Sequence, residues 1–182
     1  MCQRCAIGSG RGLPPSRVPL AELPPAQSER LAALGGRPIN LYRALANQPD
    51  MLGAWMEFAW ALRLQCRIPR ELRELVILRE AQALGADYEW VHHRAMALRA
   101  GVTEEKIEAL AGWHESELFS GPERAALAYA EGVLDGDVAE PVAAELARWF
   151  DPAEVVELTV TAGFYAMVPR VLEALQVPLE AE

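Results

Sequence analysis

From Pro25 onward, apolar residues return every three or four positions, and glycine, proline or a capping residue punctuates nearly every such run. A sheet would need sustained alternation or β-branched runs, and neither persists long enough. The pattern therefore predicts an all-α chain of about eight helices. Residues 27–34 form a short helix stopped by Gly35 and Gly36, and residues 41–46 form another before Pro49. A longer helix over 50–66 precedes Pro69, and Arg70–Leu84 follows with Gly85 as its C-terminal stop. Asp87 is read as the cap of a helix running to Gly101, and Thr103 begins the next one. Ser120 with Glu123 and Asp151 with Glu154 read as capping boxes carrying an early proline, so helices start near Pro122 and Pro152. Residues 141–150 lie between them as a shorter helix, and Pro169 should kink or end the last one.

At 182 residues and 52% apolar, the chain can bury a sizeable core as one domain over 18–182, with 1–17 as a disordered N-terminal tail. Its formal charge of -9 and lack of a basic block argue against a sequence-independent grip on nucleic acid. It also repels anions at long range, so any anion site must be local. No run of 18 uninterrupted apolar residues and no secretory leader pattern is found, so neither membrane insertion nor export is expected and the cytoplasm is the default. Cys2 and Cys5 match half of a zinc ribbon or a redox pair, but no second pair follows, and Cys66 stands alone. Residues 155–168, "VVELTVTAGFYAMV", are apolar on nearly every side, which predicts burial all round or a subunit interface.

The chemistry concentrates in "YEWVHHRAMALRAG", beginning at Tyr88. Residues four apart on a helix share a face, so Glu89 and His93 lie on one line beside Trp90 and a run of alanines, while His92 turns toward Tyr88 and Met96. On the preceding helix Glu74 sits on a stripe with Ile77, Leu78 and Ala81. Two carboxylates and one imidazole on adjoining apolar faces can have their proton affinities pushed apart, as general acid and base catalysis near neutral pH requires. A buried Glu–His pair can equally serve to tie two helices together, and spacing leaves both readings open. A metal could also take two oxygens and a nitrogen from Glu74, Glu89 and His93, but two carboxylates with one histidine hold soft metals weakly. No metal site is assigned.

Glu74 followed by "GADYEWVHHRAMALRAGVTEEKI" resembles the motif of the carboxymuconolactone decarboxylase and alkylhydroperoxidase D family. There a helical glutamate precedes a helix-opening C-x-x-C or x-x-x-E, with a histidine four residues further on. The flanking "INLYRALANQPDML" and "AGFYAMVPRVLEALQVPLE" are similar to segments outside the core motif in longer members, so the resemblance covers residues 20–180. It implies an alkylhydroperoxidase D-like helical bundle in which the Glu74 and His93 helices form an antiparallel pair, assembled as a homo-oligomer, trimer or hexamer. Glu74 matches the upstream glutamate and His93 the motif histidine. Ala86 and Glu89 occupy the two positions where the peroxidase branch carries cysteines. Thiol peroxide reduction needs both thiols, so the resemblance implies the non-redox branch, a cofactor-independent lyase or isomerase. Its expected substrate is a small carboxylated or enolisable cyclic compound. In this reading His93 shuttles the proton, Glu89 orients it and Glu74 is the acid of raised pKa, while Tyr88, Trp90 and His92 line the substrate site. An antioxidant thiol protein and a catalytically silent ligand-binding oligomer are the alternatives.

Overall fold

The structure is a computed structural model and describes residues 16–181. The expected tail up to residue 15, with Cys2 and Cys5, lies outside the described residues. Ser16 and Arg17 hydrogen-bond to the backbone at Ala174 and Leu175. The described residues contain nine α-helices and no strand: α1 (Pro25–Ala33), α2 (Asn40–Leu45), α3 (Pro49–Leu64), α4 (Arg70–Leu84), α5 (Asp87–Ala100), α6 (Glu104–Ala109), α7 (Gly121–Asp135), α8 (Glu140–Leu146) and α9 (Pro152–Leu175). A single 3-10 turn, Leu110–Gly112, extends α6.

The helix at the centre is α4. Apolar residues of α4 enter all three buried clusters: Ile77 belongs to the one with Leu52, Met56 and Phe164; Val76 to the one with Ala126, Leu146 and Leu158; and Leu75 and Leu78 to the one with Ala97, Ile107 and Leu127. A helix surrounded in this way buries its charged residues as well, and Arg73, Glu74 and Glu80 are all withdrawn from solvent. Residues 155–168, expected to be buried within the domain or at a subunit interface, are covered within this chain on one face only. Leu158, Ala162, Tyr165 and Val168 face the core, but Val156 and Met167 are 60% and 41% exposed on the opposite face of α9. By length and composition alone α9 could cross a membrane, yet its buried face forms part of two of these clusters.

The turn between α4 and α5 is set by Gly85, whose φ of 62° lies in the left-handed region that glycine enters without steric cost. The Ala86 N–H bonds back to the Ala81 carbonyl, and the chain returns antiparallel, so that Glu71 near the start of α4 approaches Gly101 at the end of α5. Because that bond closes the turn at Ala86, Ala86 takes the N-cap position and Asp87 is the first helical residue. Asp87 is therefore not the expected cap, and it acts on α5 only through its charge at the positive end of the helix dipole.

The box at Asp151 forms as expected. Its Oδ1 accepts from the N–H groups of Ala153 and Glu154, and Glu154 Oε2 accepts from the Asp151 N–H. At the start of α7, Glu123 Oε2 accepts from both the N–H and the hydroxyl of Ser120. Pro169 does not end α9, which continues to Leu175. Proline removes one N–H from the ladder, but Val168 and Leu172 are buried on either side of it and hold the last turns against the core.

Candidate active site

The antiparallel pairing of α4 and α5 brings Glu74 onto His93. His93 Nδ1 lies 2.7 Å from Glu74 Oε2, and the other carboxylate oxygen accepts from Arg70 Nε at 2.5 Å. The Arg70 guanidinium, one turn before Glu74, reaches it with a second nitrogen as well. On the far side of the ring, His93 Nε2 stands 3.4 Å from Glu89 Oε2. The imidazole is thus held between two carboxylates, one from each helix. All three groups are buried, with Glu74 wholly inaccessible and Glu89 and His93 each 5% exposed. Tyr165 of α9 packs edge-on against the imidazole with ring centroids 4.8 Å apart.

The two carboxylates differ in their partners and therefore in proton affinity. Burial would raise the Glu74 pKa, but the hydrogen bond and charge of His93, joined by Arg70, bring it below the ordinary value of 4.5. Glu89 is raised: burial dominates, and the charges of His93 and His92 offset it only in part. This reverses the expected roles. Glu74 is the ionised carboxylate that fixes the ring, so Nδ1 carries the proton and donates to it, while Glu89 is the carboxyl that tends to keep its own. The Tyr165 hydroxyl is also raised, first by burial and then by the Glu89 and Glu74 charges.

Of the three residues expected to line a substrate site, none hydrogen-bonds to Glu74, Glu89 or His93. The Tyr88 hydroxyl accepts from the Leu41 N–H and donates to Glu180 Oε1 at 2.7 Å. His92 Nε2 lies 2.7 Å from Glu180 Oε2, and Glu180 Oε1 also accepts from the Asn40 N–H. Tyr88 and His92 thus fasten the C-terminal segment to α5. Trp90 packs against the cluster of Leu75, Leu78 and Ala97. Nor do Glu74, Glu89 and His93 converge on a common point, since each ring nitrogen faces a different carboxylate. Among the described residues no group of three His, Cys, Asp or Glu side chains is placed to hold a metal ion.

Sequence reasoning missed Arg70, although its place four residues before Glu74 is a readable ion-pair signal. It also missed Tyr165, which stands in an apolar run and gives no sign of facing an imidazole.

The carboxymuconolactone decarboxylase family model matches residues 49–132, a span that contains Glu74, Glu89 and His93. The chain is 30% identical over 174 residues to the uncharacterized protein YnjA of Escherichia coli (strain K12), covering 93% of this chain and 94% of that one. Its fold is similar to that of an alkylhydroperoxidase AhpD core, a peroxidase-related protein from Ralstonia eutropha JMP134, with a TM-score of 0.79, 20% identity and 94% of each chain covered. It is also similar to the debrominase Bmp8, solved as a cysteine-to-alanine variant in complex with 2,3,4-tribromopyrrole. That match has a TM-score of 0.74 and 23% identity, and covers 89% of this chain and 91% of that one. A buried glutamate–histidine pair joining α4 to α5, in an all-helical fold with these relatives, identifies the chain as a member of the carboxymuconolactone decarboxylase family.

Proposed function

We propose that the chain is an enzyme performing cofactor-independent acid/base chemistry on a small carboxylated or enolisable cyclic compound, by decarboxylation, isomerisation or a related rearrangement. The observation that carries this reading is the buried line from Glu74 through His93 to Glu89. Glu74 holds the ring in one tautomer and stabilises its cation, as a carboxylate does behind any catalytic imidazole. His93 Nε2 then exchanges a proton with Glu89, and Glu89 gives it to or takes it from the substrate carbon. Tyr165 closes the face of the ring against water. The small ring bound by the debrominase of the same fold favours a small cyclic substrate here too.

A general test does not require the physiological substrate. A panel of carboxylated lactones and cyclic ketones in deuterated buffer should reveal at least one compound whose acidic C–H exchanges with solvent faster in the presence of protein, followed by proton NMR. Exchange that persists at the same rate in a His93→Gln variant would remove His93 from the chemistry.

Thiol peroxide reduction is not favoured. Cys66, the one free cysteine among the described residues, has its pKa raised by burial, against a smaller opposing effect of Arg73, and is poorly suited to supply a thiolate. The expected result is no thiol-dependent peroxide consumption above a protein-free blank. Turnover that vanishes in Cys66→Ser would restore the antioxidant reading.

The proposal includes a homo-oligomer, supported by exposed Phe58, Val156 and Met167, which leave apolar surface on α3 and α9 uncovered. A charge at a desolvated interface costs several kcal/mol, so Met167→Glu should lower the mass measured by light scattering while the helical signal persists. An unchanged mass would place that face in solvent.

A further inference from the structure

Glu74, Glu89 and His93 are closed off from solvent, so a substrate reaches them only if part of the structure moves. Helices α4, α5 and α9 meet through apolar clusters, and parting them would expose those clusters to water. Residues 177–181 are held differently. They follow α9 without forming a helix or strand, and their half-buried Val177 and Leu179 pack against the cluster that contains Tyr42, Tyr88 and Tyr165. Their polar anchorage converges on one carboxylate. Glu180 Oε1 accepts from the Asn40 N–H at 2.6 Å and from the Tyr88 hydroxyl at 2.7 Å, and Oε2 lies 2.7 Å from His92 Nε2. The Pro178 carbonyl accepts from Asn40 Nδ2 at 3.1 Å. Tyr88 and His92 are the chain neighbours of Glu89 and His93, so the segment lies against the turns of α5 that carry the site. Where it leaves α9, Gln176 takes a φ of 53°, in the left-handed region that a glutamine enters only at a steric cost. Ser16 and Arg17 brace the end of α9 at Ala174 and Leu175, which leaves the bend at Gln176 as the point of movement.

We infer that residues 177–181 form a strap that gates the buried Glu74, His93 and Glu89 set, with Glu180 as its latch and the bend at Gln176 as its hinge. The inference deepens the proposed acid/base function and rests on it, assigning how that site is opened. Because the donors share one carboxylate, they are released together when it leaves. Each then finds water readily, since the His92 and Glu180 side chains are already 17% and 31% exposed. Groups that exchange protein partners for water lose little on opening, and segments held in this way open at a lower cost than packed helices do. Withdrawal of the strap uncovers Tyr88 and the edge of the cluster that includes Tyr165, the ring packed on the imidazole. Substrate enters while the strap is away, and its return excludes water from the proton transfer.

The test is histidine acylation by diethyl pyrocarbonate at fixed pH, read residue by residue from peptide fragment masses. The chain has three histidines, and His114, whose side chain is 61% exposed, serves as the internal standard. In the parent chain His93 should react far more slowly than His114. Glu180→Ala should speed His92 and His93 by at least roughly tenfold relative to His114, the usual consequence of losing a charge-assisted hydrogen bond. Glu180→Gln, which keeps one accepting oxygen, should fall between the two. Amide hydrogen exchange on the same proteins should rise in residues 177–181 of Glu180→Ala and stay slow in α4 and α5. If His92 speeds up while His93 keeps its parent rate, the latch opens without opening the site, and the gate is overturned. The same holds if His93 becomes reactive only together with fast amide exchange through α4 and α5, since Glu180 would then be holding up the fold. The acid/base reading is judged separately: His93 exposed by Glu180→Ala in a protein that exchanges no substrate C–H leaves the strap standing and removes the proposed function. Substrate exchange in a protein whose His93 stays unreactive in both Glu180 variants does the reverse.

Discussion

A Glu80→Gln variant is expected to be more stable than the parent chain by about 3 kcal/mol at pH 7 and by almost nothing at pH 4.5. Glu80 is 1% exposed on α4, and neither carboxyl oxygen has a hydrogen-bond partner. Burial pushes its pKa from 4.5 up to about 9, against only a smaller opposing charge from Arg170. Arg170 donates to the Ala166 carbonyl one turn back. Between those two pH values the folded chain keeps the proton while the unfolded chain has lost it, so unfolding releases a proton and rising pH favours it. The Glu80 contribution is therefore fully present below 4.5 and declines as pH rises toward 9. Glutamine has nearly the shape of the protonated acid and no proton to lose, which makes the difference between variant and parent a direct record of this one group. Glu74 titrates with the opposite sign, since its lowered pKa gives stability above 4.5 that is lost on acidification, but it is common to both proteins and cancels in the difference. At neutral pH the melting temperature should rise by roughly 10 °C. A stability difference that does not change between pH 4.5 and 7 would mean that Glu80 is ionised and paired.

Glu80 also shows where sequence reading stops. Helix ends were legible because they depend on neighbouring residues: the reciprocal bonds at Asp151, the glycine at Gly85 and the proline starts of α7 and α9 stand where local chemistry puts them. The error at Asp87 was local too, because the return bond from Ala86 to Ala81 moved the cap by one residue. Depth was less legible. "RELRELVILREAQAL" carries six charged residues and shows an apolar stripe only around Glu74, while "VVELTVTAGFYAMV" reads as buried all round, in the domain or at an interface. The structure places α4 at the centre because neighbours from three sides close over it, and sequence spacing within α4 carries no record of them.

The same distinction governs the site. The meeting of Glu74, Glu89 and His93 could be anticipated from helical spacing and the family motif, because both elements are regular and joined by a short turn. Which carboxylate would be ionised could not, since that depends on what stands opposite each one. Arg70 and His93 Nδ1 lie against Glu74, and Glu89 receives no comparable donor. Tyr88 and His92 were candidates for the substrate site on the strength of their position, but Glu180, 88 residues beyond His92, takes both.

The exchanged roles of the carboxylates give the last expected result its form. Turnover should be bell-shaped in pH, with activity rising as Glu74 ionises below 4.5 and falling as Glu89 loses its proton above 4.5. Both limits belong to the two carboxylates as a coupled pair. His93→Gln should lower kcat by at least ~100-fold, the usual scale for losing a positioned acid or base, because glutamine can still bond to Glu74 but cannot carry a proton across to Glu89. Glu74→Gln should lower it comparably for a different reason. The neutral amide still bonds to the ring, yet it no longer stabilises the imidazolium, and it leaves Arg70 without its anion. The acidic limb should then disappear from that variant's profile while the basic limb remains. Glu89→Gln should do the opposite, removing the basic limb together with the group that faces substrate. If Glu74→Gln keeps both its turnover and its acidic limb, the pair of Glu74 and His93 only ties α4 to α5, and the scaffold reading displaces the catalytic one.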